Sequence, residues 1–279
     1  MTFLTMSLLV WAASLLAGFL GALTGLGGGV VVVPLLAVLF HVDLRYAVGA
    51  SLLSVIATSS GAAAAYVREG VSNVRVGMFL EIATTVGALA GAAVAAHVAT
   101  GAVAVVFGLV LLGAAGVSLR HPARERGSVA SPERIARALR LDGSFPGPGG
   151  PVYYTVRRVP AGFGLMFLAG GLSGLLGIGS GALKVIAMDD VMRLPFKVST
   201  TTSNFMIGVT AAASAGVYLA RGYIDPGLAA PVVLGVLAGA LLGARLLPRI
   251  RSHVLRLVFA AVIVALAVEM LYQGATGRL

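Results

Sequence analysis

The chain of 279 residues contains no cysteine. Disulfides, a thiol nucleophile and thiolate metal ligands are therefore excluded. Charge is scarce as well. Asp, Glu, Lys and Arg together make up 11% of the residues, against about 25% in a soluble domain. So few polar groups could not cover a water-facing surface of this size, whereas lipid demands no charged shell. The four histidines, His41, His97, His121 and His253, stand far apart. None falls at metal-ligand spacing, so no metal site is expected. The only acidic pair in an apolar setting is Asp189-Asp190, and no Ser/His/Asp set is present. The sequence therefore predicts no catalytic residues, no cofactor and no enzyme.

Apolar residues are abundant: 58% of the chain is hydrophobic and the mean hydropathy is +1.00. A net charge of +10 would raise nucleic acid as a partner for a soluble protein. Here the basic residues sit in short polar gaps between apolar runs, and eight of the 20 lie between Arg120 and Arg158. That is the pattern of cytoplasmic loops, so the expected partner is the lipid bilayer and not nucleic acid. The run from Phe3 to Leu26 lacks a basic leader and a cleavage site, and reads as a retained membrane segment.

The chain repeats itself at a constant offset of 152 residues. Gly25-Leu-Gly-Gly-Gly29 matches Gly177-Ile-Gly-Ser-Gly181. Without a gap, Ser51 falls on Ser203, Thr58 on Thr210, Tyr66 on Tyr218 and Gly70 on Gly222. Gly87-Ala-Leu-Ala-Gly-Ala92 then falls on Gly239-Ala-Leu-Leu-Gly-Ala244. Low-complexity Gly/Ala matches alone would carry little, but Ser, Thr and Tyr agree in the same register.

Each half holds one series of elements. Half one has an apolar run to about Thr24, a glycine-rich break, a shorter run from Gly29 to Phe40, and runs at Tyr46–Val67, Val76–His97 and Ala102–Leu119. Half two has Ala161–Leu176, the break, Gly181–Asp190, Val198–Leu219, Pro226–Leu247 and Val254–Tyr272. A core of about 30 Å needs about 20 helical residues at ~1.5 Å each. The last three runs of each half meet that length; the pieces after the breaks do not, and read as arms of hairpins or broken helices. The expected fold is an all-α polytopic membrane protein of two homologous repeats, each a glycine-broken helix or hairpin plus three transmembrane helices. Residues 1–119 form the first repeat, 120–158 a connecting loop and 159–279 the second repeat.

Lys/Arg bias bears on orientation. If each break reverses the chain, the repeats are inverted, and 16 of the 20 basic residues share one side, leaving only Arg45, Arg221 and Arg278 on the other and Lys184 inside a segment. If the break is a kink, eight parallel spans result and the split falls to 12 against seven. The bias favours ten segments in inverted repeats, in an inner membrane, with the Arg120–Arg158 loop cytoplasmic. Within that loop Ser131-Pro-Glu133 reads as a helix start, followed by one or two turns over Ile135–Leu141. Phe145-Pro-Gly-Pro-Gly-Gly-Pro151 is expected to break regular structure.

The breaks are the first candidate site. Gly27, Gly28 and Gly29, with Gly179, Ser180 and Gly181, permit close backbone approach. The arms that follow present unpaired N–H groups and a positive dipole end, which suits an anion. In inverted repeats two such tips meet near the midplane, where transporters of that design bind substrate; the same glycines also serve helix packing. Lys184 lies one turn beyond Gly181, opposite Val32 of half one. A cation there costs at least about 2.5–3.5 kcal/mol and needs a partner: a substrate anion, Asp189, Asp190, or water reached by snorkelling. Ser51, Ser203 and Asn204 open the following helices, where hydroxyls often bond back to their own turn and an amide joins helices. Asn204 equally offers donors to a sulfonate or carboxylate. Glu81, about one turn into its span, is a candidate for proton coupling or a group that reaches water.

The string Gly18-Phe-Leu-Gly-Ala-Leu-Thr-Gly-Leu-Gly-Gly-Gly-Val-Val-Val-Val-Pro34, followed by Ala47-Val-Gly-Ala-Ser51, resembles the TauE/SafE family of sulfite and organosulfonate exporters. Gly174-Leu-Leu-Gly-Ile-Gly-Ser-Gly-Ala-Leu-Lys184 and Lys197-Val-Ser-Thr-Thr-Thr-Ser-Asn204 resemble it again. The resemblance covers nearly the whole chain apart from the central loop. It implies a secondary transporter that exports a small anion such as sulfite or a C2 organosulfonate. An anion channel, or an importer of another sulfur oxyanion or carboxylate, is the alternative. The chain departs from the family pattern at Ser180, where glycine is usual, and at Ile186, opposite Pro34. The two tips are therefore not expected to serve the substrate equally.

Overall fold

A computed structural model describes residues 3–24, 28–68, 71–120, 133–147, 150–246 and 252–277. Half one runs α1 (Phe3–Thr24), α2 (Gly29–Pro34), α3 (Leu44–Arg68), α4 (Val74–Ala95) and α5 (Thr100–Arg120). The connection holds α6 (Arg134–Ala138) and strands β1 (Gly143–Gly147) and β2 (Gly150–Tyr154). Half two runs α7 (Val159–Leu176), α8 (Gly181–Ile186), α9 (Phe196–Ala220), α10 (Pro226–Leu246) and α11 (Ser252–Thr276). The described residues are mostly helical, with one two-stranded hairpin among them.

The short arms agree with the sequence to within a residue. Each continues as a π-helical turn, Leu35–Leu39 after α2 and Ala187–Val191 after α8. Each closes in the same way: Val42 N donates to Leu36 O at 3.1 Å, and Leu194 N to Met188 O at 2.9 Å. His41 (φ 53°) and Arg193 (φ 61°) turn left-handed at equivalent positions. Pro34 does not cause the π turn, because Ile186 occupies its place in the second arm and the turn recurs. The arms form the centre of the molecule, and every residue from Gly29 to Pro34 is buried.

The long helices pair across the halves. α1 packs on α10, α7 on α4, α3 on α9 and α5 on α11. In the first two pairs the backbones touch. A Cβ on Gly18 would overlap Val236 O, and one on Gly170 would overlap Thr84 O. A Cβ on Gly239 would overlap Leu15 O, and one on Gly87 would overlap Phe167 O. These four contacts are two copies of two, related by the 152-residue offset with the halves exchanged. Small residues allow this approach where no hydrophobic force drives helices together.

Among the described residues, Val74–Ala95, Val159–Leu176, Phe196–Ala220 and Pro226–Gly243 are long and apolar enough to cross a membrane. Large apolar side chains stay exposed on their outer faces, among them Met78, Ile82, Leu168, Val209 and Leu234. Only lipid makes that arrangement stable. The helix starts have local causes. Asn73 Oδ1 accepts from Val76 N at 3.1 Å to cap α4, and Asp225 Oδ1 accepts from Gly227 N at 2.9 Å ahead of Pro226 in α10.

The connecting loop corrects one expectation. Ser131 and Pro132 lie outside the described residues, and the helix there is Arg134–Ala138. Within Phe145–Pro151, the described residues 145–147 and 150–151 do not break regular structure: they belong to an antiparallel hairpin in which Pro146 faces Pro151. Proline has no N–H, but directly opposed residues in an antiparallel pair are either both bonded or both unbonded. Two prolines sharing an unbonded pair cost the ladder nothing. The hairpin docks on the membrane bundle. Asn73 Nδ2 donates to Tyr154 Oη and to Leu141 O, each at 2.8 Å. Arg157 N donates to Met192 O at 3.0 Å, at the end of the second arm.

Candidate functional site

The two glycine breaks meet at the centre. Ser51 Oγ, on α3, donates to Gly177 O at 2.9 Å and lies 3.4 Å from Gly29 O, so one hydroxyl spans both breaks. Ser203, its equivalent on α9, donates to Gly181 O at 3.2 Å. A Cβ on Gly29 would strike Val55 Cγ2 at 2.7 Å and Ser51 Oγ at 2.8 Å. Gly179, at φ +71°, leaves a Cβ 2.7 Å from Ile207 Cγ2 and 3.2 Å from Val55 Cγ1. Gly28 is held against Val236. Gly27 lies outside the described residues.

Ser180 and Lys184 make the second tip polar. Ser180 takes a left-handed backbone (φ 49°) and is buried. Its Oγ has no hydrogen-bond partner among the described residues. Lys184 N donates to Ser180 O at 3.0 Å, so the two lie one turn apart on the same arm. Lys184 is 0% exposed. It does not snorkel: its Nζ donates to Thr210 Oγ1 on α9 at 2.5 Å. Thr210 Oγ1 in turn lies 2.6 Å from Glu81 Oε1 on α4. Glu81, 7% exposed, is buried and does not reach water. Thr85 Oγ1 donates to the same Oε1 at 3.1 Å, while Oε2 is buried without a partner among the described residues.

The sequence-predicted residues thus divide. Gly28, Gly29, Ser51, Gly179, Ser180, Gly181 and Ser203 come together at the breaks, and Lys184 and Glu81 are joined one turn deeper. Asn204 lies one position past Ser203 within α9 and is half-buried. Thr210 was missed as a site residue. Its only signal was its register match with Thr58, and Thr58 Oγ1 bonds within its own helix, to Ser54 O at 3.0 Å.

A second polar feature lies at the opposite end of α4 from the hairpin. Arg45, Tyr218, Arg221 and Tyr223 line a shallow cleft with Ala95 and Ala96. Arg45 Nη1 donates to Tyr223 Oη at 3.3 Å, and its guanidinium lies 5.5 Å from that ring's centre. Arg221 Nη1 donates to Ala92 O at 3.0 Å near the C-terminus of α4, where a cation meets the negative end of the helix dipole.

Comparison with known proteins agrees with this architecture. The family model for Sulfite exporter TauE/SafE matches residues 10–270. The chain is 28% identical over 267 residues to the Probable membrane transporter protein YunE of Bacillus subtilis (strain 168), covering 93% of this chain and 95% of that protein. It is 26% identical over 237 residues to the Probable membrane transporter protein YdhB of the same organism, covering 83% and 85%. No solved structure matches the chain. With its glycine breaks, its multi-pass apolar helices and a match over nearly its full length, the chain belongs to the TauE/SafE sulfite exporter family.

Proposed function

We propose that this protein is a secondary transporter that exports a small anion, such as sulfite or a C2 organosulfonate, by alternating access. The anion binds where the glycine breaks meet, beside Ser180 and Lys184, with Gly28, Gly29, Gly179 and Gly181 letting the backbone close on it. Asn204 joins the site when the arms move. The observation that carries this reading is the second arm itself: a fully buried ammonium one turn from a buried hydroxyl that lacks a partner among the described residues. An anion satisfies both, and the N-terminal N–H groups of the arms add donors. The family's description as a sulfite exporter supports the substrate class, and the relatives' names support membrane transport.

The two repeats are inverted in an inner membrane, with the connecting loop cytoplasmic. Two sets of contacts support this sidedness. Arg75 Nη1 donates to Arg140 O at 3.4 Å, and with the Asn73 and Arg157 bonds this joins the loop, the start of α4 and the end of the second arm on the basic side. Arg45, Tyr223 and Arg221 join the start of α3, the α9–α10 turn and the end of α4 on the other. A carrier is favoured over a channel because Ser51, Ser180, Lys184 and Ser203 are all buried. Exchange with either side then requires the arms to move.

Proteoliposomes test the reading. Purified protein is expected to move radiolabelled sulfite or sulfoacetate saturably, with uptake accelerated by unlabelled substrate on the far side. Saturable flux without that acceleration identifies a channel. No binding of sulfite, thiosulfate, sulfoacetate, taurine or sulfate overturns the anion site.

A further inference from the structure

The two halves agree in backbone and disagree in charge at one place. At the 152-residue offset, Lys184, Thr210 and Glu81 occupy the positions of Val32, Thr58 and Val233. α4 meets α9 as α10 meets α3, so the fold builds the same three-helix junction twice. One copy is apolar except for a threonine bonded within its own helix. The other holds a buried acid and a buried base joined through one hydroxyl. Symmetry does not require this pair, and packing alone is met by the valines.

The charges around the pair are few. α7, which packs on α4, has no ionisable side chain over Val159–Leu176. α9 offers Lys197, exposed at its start, and Tyr218, buried near its far end. α4 adds only Arg75, exposed in its first turn. The second arm ends in Asp189, half-buried, and Asp190, exposed, one to two turns beyond Lys184. Glu81 is the counter-charge that the structure joins to Lys184, through Thr210.

That balance constrains what an anion can do. With Glu81 ionised, the pair is neutral, and an anion at Lys184 would leave one net negative charge buried in a low dielectric. An uncompensated charge there is strongly unfavourable. A proton on Glu81 removes it. The carboxyl has a place for that proton: Oε1 is engaged by Thr210 and Thr85, while Oε2 has no partner among the described residues. Thr210 Oγ1 carries one proton, which can face Glu81 Oε1 at 2.6 Å or Met206 O at 2.9 Å. It can therefore release the carboxyl without losing a hydrogen bond.

We infer that Glu81, Thr210 and Lys184 form a proton-linked anion site: the anion replaces Glu81 as the counter-charge of Lys184, and Glu81 takes up one proton from water as the anion binds. Carboxylate plus proton gives carboxylic acid, and no other bond changes. Anion and proton then occupy the carrier together. The inference rests on the anion site proposed above and adds its coupling ion.

The test uses 2-hydroxyethanesulfonate, whose sulfonate keeps its charge across the working range. Calorimetric titration of the full-length, detergent-solubilised protein in two buffers of different ionisation enthalpy counts the protons exchanged. The expected result is uptake of about one proton per anion, with affinity falling toward tenfold per pH unit as pH rises. Glu81→Gln should bind with no proton uptake and a flat pH profile. Wild-type binding with no proton uptake overturns the coupling and leaves the anion site standing. An unchanged pH slope in Glu81→Gln does the same. No binding of this sulfonate or of sulfite at any pH overturns the anion site and the coupling with it. If Glu81→Gln does not fold, the wild-type proton count alone decides.

Discussion

Ser51 Oγ donates to Gly177 O at 2.9 Å, across 126 residues of sequence, and so ties the third helix of half one to the glycine break of half two. The bond is also a constraint on movement. An arm that shifts between access states must give up this hydroxyl or carry α3 with it. Ser51→Ala is expected to free the break at a cost of about 1 kcal/mol, because Gly177 O then lies buried without its donor. The measurement is the thermal midpoint of the solubilised protein, paired with sulfite counterflow. An unchanged midpoint removes the bond from any account of how the arms are held.

Glycine at the α4–α7 and α1–α10 crossings is required for a different reason. Gly87→Val would drive a side chain into Phe167 O, and Gly239→Val would do the same to Leu15 O. Both should destabilise at the upper end of the ~1–3 kcal/mol typical of overpacking, and to a similar degree, because the contacts are copies. Gly216 is exposed and has open space where a Cβ would stand, so Gly216→Ala should gain about 0.5–1 kcal/mol from helix propensity. Thermal stability and yield of folded protein by size exclusion read all three. Equal tolerance of valine at Gly87 and of alanine at Gly216 contradicts the close crossing.

Much of this frame was legible in the sequence, because bilayer thickness sets run length and the breaks are written in glycine. The arm starting at Gly29 and the one starting at Gly181 were both visible from their flanks. The hairpin was not. Phe145–Pro151 reads as a breaker by composition, and only the pairing of Pro146 with Pro151 makes a strand acceptable there. The link between Glu81 and Thr210 spans 129 residues. It arises from α4 packing on α9, and neither helix's sequence encodes that neighbour. Glu81 therefore read equally as a coupling residue or as one that reaches water, and the packing of the two helices leaves it buried.

The connecting hairpin should respond to alkali. Tyr154 is pushed up to about 12, foremost by burial; the Asn73 hydrogen bond opposes this and the Asp142 carboxylate adds to it. Its ordinary value is about 10. A folded value raised above the unfolded one gives a contribution fully present below pH ~10 and lost as pH climbs toward 12. Stability should therefore be flat in this respect through neutral pH and decline above pH ~10. In Tyr154→Phe that alkaline component should vanish, along with the Asn73 bond. Thermal midpoints from pH 8 to 11 for both proteins check the sign.

Topology has a direct test, since the chain has no native cysteine. Single cysteines at Ser144 and Ser252 should react with an impermeant thiol reagent from the same side. One at Ala99 should react from the opposite side. Eight parallel spans would put Ser144 and Ser252 on opposite sides, so one labelling experiment separates the two arrangements.

Lys184 carries the most exposed prediction. Lys184→Gln is expected to weaken binding of an anionic substrate at least tenfold, because a charge-assisted hydrogen bond is worth about 1.5–3 kcal/mol. Glutamine keeps most of the length and a donor, so charge is tested and shape is not. Lys184→Arg should harm affinity less and slow transport, since a planar guanidinium in a closed site cannot reproduce the single contact of Nζ with Thr210 Oγ1. A purely structural lysine gives another pattern. Lys184→Gln would then lose stability through the stranded Glu81 carboxylate, Glu81→Gln in the same chain would restore it, and sulfite affinity would not change in any of these proteins. Thr210→Val separates the roles further. It removes the hydroxyl between acid and base and should weaken binding, with Thr210→Ser rescuing it. Thr58→Val, at the equivalent position in half one, should have little effect, because among the described residues that hydroxyl bonds only to its own helix. Unchanged affinity in a well-folded Lys184→Gln protein would place the anion away from the second arm.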